Sequence, residues 1–190
     1  PPPSGLEVVY AGEREQLTST MKDLTTMLLL AFIIIYGIMI IQFQSLLSPF
    51  IVMFTIPLAF TGGALALLLF GKPLSVIALL GFLVLSGVVV NNGIVFVDTA
   101  IRGEGSIEEV LLRTGFMRTR PILMTALTTI LGLVPLALSV GLGSEALQPM
   151  GLVLIGGLLY ATLMTLYVIP VLYKLFHGRK YKVETQQEQA

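Results

Sequence analysis

The stretch VVVNNGIVFVD, residues 88–98, decides the fold class because all of it except Asp98 lies inside an apolar run, residues 75–97, that is long enough to cross a bilayer. At about −0.3 to −0.6 kcal/mol each, the aliphatic and phenylalanine residues of this run favour insertion strongly enough to carry some polar groups. Two adjacent amides, Asn91 and Asn92, are such groups, and the carboxylate of Asp98 follows directly after the run. That the helix can insert despite these polar groups does not explain why they are there. We therefore predict that this helix faces other helices and lines a coupling pathway.

The composition of the whole chain is typical of a membrane protein. Hydrophobic residues make up 55% of the 190 residues and charged residues only 12%, about half the share found in soluble domains. The zero net charge gives no indication of nucleic-acid binding, and a sequence without cysteine forms no disulfide and no thiolate metal site. The single histidine, His177, lies in a basic tail and is predicted to be solvated. With no nucleophile–base pair, phosphate loop or metal-ligand spacing, we predict neither an enzyme nor a cofactor or metal site.

Five apolar segments are long enough to span a membrane, which predicts an all-α, polytopic bundle of five transmembrane helices. Strands are excluded inside these runs because lipid offers no partners for an open sheet edge. Only LEVVYAGE, residues 6–13, has the pattern of a strand. The predicted spans are residues 24–43, 50–70, 75–97, 121–140 and 150–173.

These spans divide the chain into three parts. We interpret residues 1–16 as the end of an extracytoplasmic region with a linker, 17–180 as the transmembrane domain, and 181–190 as a cytoplasmic tail. The start at PPP without methionine predicts a fragment or a processed chain.

Lysine and arginine residues predict the orientation of the bundle. The segment between spans three and four carries four arginines, and the C-terminal tail carries further bases, whereas the loops on the opposite side hold only Lys72. We therefore expect the basic segment and the C-terminus in the cytoplasm and the N-terminus outside. Within the basic segment, SIEE at residues 106–109 is a capping box. It predicts one short amphipathic cytoplasmic helix, residues 106–115, that lies along the membrane surface and ends near Gly115.

The fourth span repeats the polar pattern of the third. Arg118, Thr125, Thr129 and Gly132 share one helix face, and Arg120 lies at the helix start, where a long side chain can reach water or turn inward. A plainer interpretation stays open for Thr125: its hydroxyl can donate to the backbone carbonyl one turn back and so serve only its own helix.

Plainer interpretations also stay open for the third span. Asn91 with Gly87 one turn away is the pattern of a close helix contact held by an amide hydrogen bond. Asp98 can be solvated or paired with an arginine.

Small residues and prolines make predictions for the other spans. A close-packing face is predicted on the fifth span by Gly156, Gly157 and Ala161. Local loosening of spans two and four is predicted by Pro57 and Pro135.

Three strings in the chain resemble the C-terminal membrane half of a resistance–nodulation–division (RND) efflux transporter, with the hydrophobe/amphiphile exporters as the nearest group. They are QFQSLLSPFIVMFTIPLA, VVVNNGIVFVD and RTRPILMTALTTILGLVPLAL. The resemblance runs from about Gly5 to Lys180. It implies a multidrug proton antiporter in the bacterial inner membrane, usually a homotrimer, which is driven by the proton-motive force rather than a cofactor. It also implies a periplasmic adaptor, an outer-membrane channel and an N-terminal half of the transporter as partners.

The resemblance also implies roles for individual residues. The proton-carrying aspartates belong to the N-terminal half, and the family offers them a lysine where this sequence has Asn91. An amide cannot supply positive charge, so Arg118 becomes the best cationic partner, and Thr125 matches the relay threonine of the family. The predicted proton-relay residues are Asn91, Asn92, Arg118 and Thr125, with Asp98, Arg120 and Thr129 as secondary candidates.

Two alternatives stay open. The chain can belong to a lipid, heavy-metal or protein-translocation member of the same superfamily, because the sequence contains no substrate-reading region. It can also be a non-transporting membrane assembly fragment, since five helices alone do not form a pump.

Overall fold

The structure is a computed structural model that describes the backbone of residues 11–188 and the side chains of residues 12–177. Within residues 11–188 it contains helices and no strands. The helices are α1 Ala11–Phe43, α2 Leu47–Met53, α3 Thr55–Leu69, α4 Val76–Ile101, α5 Ile107–Ala137 and α6 Ser144–Glu188. Because α2 and α3 together form one span, Leu47–Leu69, the described chain has five helices long and apolar enough to cross a membrane. This confirms the predicted all-α class and the number of spans.

The ends of the chain bear on two sequence predictions. Most of the predicted strand, residues 6–10, lies outside the described residues, while its last three residues, 11–13, belong to α1. At the other end, the backbone of α6 continues as helix to Glu188, through most of the predicted tail.

The short cytoplasmic helix predicted for residues 106–115 is wrong as a separate element. Its start is as predicted, since the Ser106 hydroxyl accepts a hydrogen bond from the Glu109 amide at 3.4 Å. The helix then continues past Gly115 as α5. Its 31 residues give it a length of about 46 Å, which exceeds the thickness of about 30 Å of a hydrocarbon core. Gly115 keeps a helical backbone, and ending the helix there would leave four carbonyls without partners.

The second span has a break one turn before Pro57. Because proline has no N–H, the carbonyl of Met53 loses its helical partner, and the pyrrolidine ring displaces that carbonyl. Helix α2 accordingly ends at Met53, and Phe54 separates it from α3. The Thr55 hydroxyl donates to the Val52 carbonyl at 2.7 Å and so satisfies one group at the break. The loosening predicted for this span is confirmed.

Helix α6 is the centre of the bundle and packs on α3, α4 and α5. Its approach to α3 is closest where glycines face each other. A Cβ atom placed on Gly62 would lie 2.7 Å from the Gly156 carbonyl oxygen and 3.1 Å from the Gly157 Cα atom. Ala161, one turn further along α6, is buried. The predicted small-residue face of the fifth span is therefore confirmed, and its partner is α3.

One end of the bundle gathers the basic segments. The Lys174 ammonium of α6 contacts the Glu108 carboxylate of α5 at 2.6 Å, and the last turn of α4 lies beside the first turns of α5. The segment between α4 and α5 and the C-terminal part of α6 thus lie at the same end, as the distribution of lysine and arginine predicts.

Candidate functional site

A cavity of about 480 Å³ lies where the end of α4 meets the start of α5. Two of the predicted site residues, Asp98 and Arg118, line it together, and five of its lining residues carry charged side chains. The lining residues are Asp98, Thr99, Arg102, Gly103, Glu104, Val110, Arg113, Thr114, Met117 and Arg118.

A hydrogen bond joins Arg118 and Thr99, which both line this cavity. The Arg118 Nε–H donates to the Thr99 hydroxyl at 2.7 Å, across 19 positions in the sequence. The Thr99 hydroxyl in turn donates to the Val95 carbonyl at 2.9 Å. Both side chains are half-buried. The guanidinium is thus held by one edge against α4.

Asp98 is paired with Arg102, one helical turn away. The Arg102 Nε atom lies 3.2 Å from an Asp98 carboxylate oxygen, and the two side chains are 77% and 38% exposed, respectively. Such an exposed pair is worth at most about 1 kcal/mol. Of the two interpretations left open for Asp98, pairing with an arginine is confirmed, and the partner is not Arg118.

Asn91 lies on a face of α4 that no helix of the described chain covers. Its side chain is exposed, Asn92 is half-buried, and Gly87 is exposed. A Cβ atom placed on Gly87 would meet nothing within 4 Å. The close contact that Gly87 and Asn91 suggest is therefore not made within the described residues. The glycines of α4 that pack closely are Gly81, against Met150, and Gly93, against Val52.

The threonines of α5 satisfy themselves on their own helix. The Thr125 hydroxyl donates to the Pro121 carbonyl at 2.9 Å and the Thr129 hydroxyl to the Thr125 carbonyl at 2.8 Å. Thr125 is exposed and Thr129 is half-buried. The bond one turn back that a threonine permits is confirmed, and each hydroxyl oxygen keeps a lone pair for another donor.

Arg120 is separated from the other candidates. Two residues along an α-helix correspond to a rotation of about 200°, so Arg118 and Arg120 lie on nearly opposite faces of α5. Arg120 is exposed and borders an apolar groove of about 660 Å³ between α5 and α6, together with Leu166 and Pro170. The structure therefore does not place Arg120 in the cavity with Asp98 and Arg118.

Sequence reasoning missed Thr99, Arg102 and Arg113. The spacing of Asp98 and Arg102, four residues apart on a helix, is a signal that could have identified the ion pair. The contact of Thr99 with Arg118 has no such signal, because it depends on the tertiary approach of α4 and α5.

The chemical capacity of the site follows from Arg118. No acid among residues 12–177 pairs with its guanidinium, which has four further N–H donors on its terminal nitrogens. Such a group binds a carboxylate with two parallel hydrogen bonds. Among the described residues, no cluster of three or more histidine, aspartate or glutamate side chains could hold a metal ion.

Known proteins resemble this chain over almost its whole length. The AcrB/AcrD/AcrF family profile matches residues 2–177. The multidrug resistance protein MdtC of Proteus mirabilis is 37% identical over 180 residues, which is 93% of this chain and 18% of MdtC. The cobalt-zinc-cadmium resistance protein CzcA of Cupriavidus metallidurans is 38% identical over 189 residues, which is 98% of this chain and 18% of CzcA.

The fold also matches a solved structure. The crystal structure of a heavy metal efflux pump superposes on 86% of this chain and 16% of the pump, with a TM-score of 0.77 and 34% identity. The chain thus spans less than a fifth of the length of the relatives that it matches. Fold, sequence profile and relatives agree with the resemblance found in the sequence: the chain belongs to the AcrB/AcrD/AcrF family of RND efflux transporters.

Proposed function

We propose that this chain forms the C-terminal membrane portion of a longer, proton-driven RND transporter that exports hydrophobic or amphiphilic compounds across the bacterial inner membrane. Export is assigned to the whole transporter, since the relatives are more than five times as long as the matched segment. The role of this segment is to contribute helices to the proton-coupling pathway. As the RND resemblance implies, the transporter is a homotrimer that works with a periplasmic adaptor and an outer-membrane channel.

The observation that carries the proposal is an exposed polar side chain on each of two apolar helices. Asn91 on α4 and Thr125 on α5 are exposed, although both helices are long and apolar enough to cross a membrane. A polar group that meets hydrocarbon costs free energy, so polar side chains in membrane helices face protein or water. The faces of α4 and α5 that hold these two residues are therefore suited to a further helix of the transporter rather than to lipid.

A titrating carboxylate on that further helix completes the mechanism. When the carboxylate is charged, it accepts hydrogen bonds from the Arg118 guanidinium and the Asn91 amide. It also accepts one from the Thr125 hydroxyl when the Thr125 side chain adopts another rotamer. When a proton neutralises the carboxylate, these bonds weaken and the helices can separate. Two arrangements with different affinity for the proton are what a coupled transporter requires.

The proposal is tested by substrate export from liposomes that contain the full-length transporter and an imposed pH gradient. We expect export that stops when an ionophore collapses the gradient. Asn91→Ala should slow the coupled rate about tenfold, because a hydrogen bond to a charged group contributes roughly 1.5–3 kcal/mol.

The matched control for Asn91→Ala is Val84→Ala, two turns earlier on the same face of α4 and also exposed. It removes side-chain volume without removing a polar group and should leave export nearly unchanged. Export that continues without a gradient would contradict proton coupling and favour the non-transporting or otherwise driven alternatives.

Heavy-metal export is the second candidate function. It is favoured by the match to CzcA over 98% of the chain and by the fold match to a heavy metal efflux pump. A bacterial strain that lacks its own RND pumps separates the two when it expresses the full-length transporter. Raised tolerance to amphiphilic dyes and detergents supports the first function, whereas tolerance to zinc, cobalt or cadmium alone supports the second.

We further propose that the N-terminus of this segment is extracytoplasmic and that the segment between α4 and α5 is cytoplasmic. Because the chain contains no cysteine, single cysteines can report this. A membrane-impermeant maleimide should label a Leu142→Cys variant in spheroplasts and label a Glu104→Cys variant only after permeabilisation. Both positions are exposed in the connections between helices. The reverse labelling pattern would invert the topology.

A further inference from the structure

The hydrogen bond between Thr99 and Arg118 is the only one that joins side chains of α4 and α5 within residues 12–177. Its geometry is directional. The Thr99 hydroxyl has one hydrogen, which it gives to the Val95 carbonyl at 2.9 Å. The remaining lone pairs of the hydroxyl can only accept, and one of them receives the Arg118 Nε–H at 2.7 Å. The backbone of α4 therefore fixes the hydroxyl, and the hydroxyl fixes one edge of the guanidinium.

The other edge of the guanidinium keeps its donors. Five charged groups line the cavity, namely Asp98, Arg102, Glu104, Arg113 and Arg118. Within this group the Asp98 carboxylate is engaged by Arg102, and Glu104 makes no ion pair among the described residues. Neither terminal nitrogen of Arg118 is paired with an acid of residues 12–177, so both are available to a further carboxylate.

We infer that Thr99 is a positioning residue that holds Arg118 by its Nε edge, so that the two terminal nitrogens receive the titrating carboxylate of the coupling pathway end-on. The inference rests on the proposed function. It goes beyond that function by naming the residue that orients the guanidinium and the edge through which the guanidinium acts. A guanidinium whose orientation is already fixed pairs with a carboxylate more favourably, because less side-chain freedom is lost when the pair forms.

The test uses Thr99→Val and Thr99→Ser in the full-length transporter. Valine keeps the shape of threonine but cannot accept the Nε–H, so proton-coupled export should fall about tenfold, the scale of a charge-assisted hydrogen bond. Serine keeps the hydroxyl and should restore export to within about twofold. The pH profile of export should shift to higher pH in Thr99→Val alone, because a carboxylate that loses contact with a cation holds its proton more tightly.

The matched control is Thr128→Val. Thr128 also bonds the carbonyl one turn back, Met124 at 2.7 Å, but contacts no guanidinium. Normal export and an unshifted pH profile in Thr99→Val would overturn the inference, and so would equal losses in Thr99→Val and Thr128→Val. If Arg118→Ala also exports normally, the proposed function fails with it. If Arg118→Ala is inactive while Thr99→Val is normal, only the positioning role is wrong.

Discussion

Gly62→Ala is expected to destabilise the bundle by about 3 kcal/mol, at the upper end of the usual cost of overpacking. The added methyl group would lie 2.7 Å from the Gly156 carbonyl oxygen and 3.1 Å from the Gly157 Cα atom. Both are backbone atoms of α6, so no side chain can rotate away, and α3 and α6 must move apart. Because α6 is the central helix, the separation also disturbs its packing on α4 and α5. The measurement is the unfolding temperature and yield of the full-length transporter in detergent.

Gly37→Ala is the matched control. Gly37 lies inside helix α1, and a Cβ atom placed there meets nothing within 4 Å. Alanine is favoured over glycine in a helix by about 0.8–1 kcal/mol, so this variant should be neutral or slightly more stable. Equal unfolding temperatures for Gly62→Ala and the unchanged protein would show that α3 and α6 do not cross as closely as the structure indicates.

Arg118→Ala is expected to reduce proton-coupled export by about 100-fold or more, since removing one partner of a buried ion pair costs about 3–5 kcal/mol. Among residues 12–177, no other lysine or arginine donates to the Thr99 hydroxyl. Arg102 is engaged by Asp98, and Arg120 lies on nearly the opposite face of α5. Assembly of the transporter should be retained, because Arg118 is not part of either hydrophobic cluster of the core. The measurement is the initial rate of export from liposomes at a fixed pH gradient.

Two further variants sharpen this result. Arg118→Lys keeps the charge but loses the Nε–H that bonds Thr99, so its export should lie between those of the alanine variant and the unchanged protein. Arg120→Ala removes an arginine two positions away and should export normally. If Arg120→Ala is as impaired as Arg118→Ala, the two arginines act through general surface charge and the specific role of Arg118 is wrong.

Hydropathy was sufficient to predict the five spans, because the requirement for about 20 apolar residues per crossing is strict. The small-residue face of α6 and the loosening near Pro57 were also predictable, since each follows from the covalent structure of glycine or proline. Continuity of α5 was not predictable in this way. A capping box marks where a helix begins. A glycine such as Gly115 ends a helix only if the chain turns there, and in this structure the backbone continues as helix through Gly115.

The candidate site was predictable in its residue types and only partly in its geometry. Helical spacing identified the carbonyl that Thr125 bonds, but the meeting of Arg118 and Asp98 in one cavity follows from the tertiary packing of α4 and α5. Spacing could not show that Asp98 pairs with Arg102 rather than Arg118, nor that Thr99 receives the Arg118 Nε–H. Those choices depend on how closely α4 approaches α5, which local sequence does not determine.

A cryo-electron microscopy structure of the full-length transporter in lipid nanodiscs tests the central claim most directly. The decisive measurement is the distance from the terminal nitrogens of Arg118 to the nearest carboxylate oxygen outside this segment. We predict a distance of about 4 Å or less in the deprotonated state, with Asn91 and Thr125 facing the same carboxylate. Asn91 and Thr125 in contact with acyl chains, and no carboxylate near Arg118, would contradict the proposed coupling.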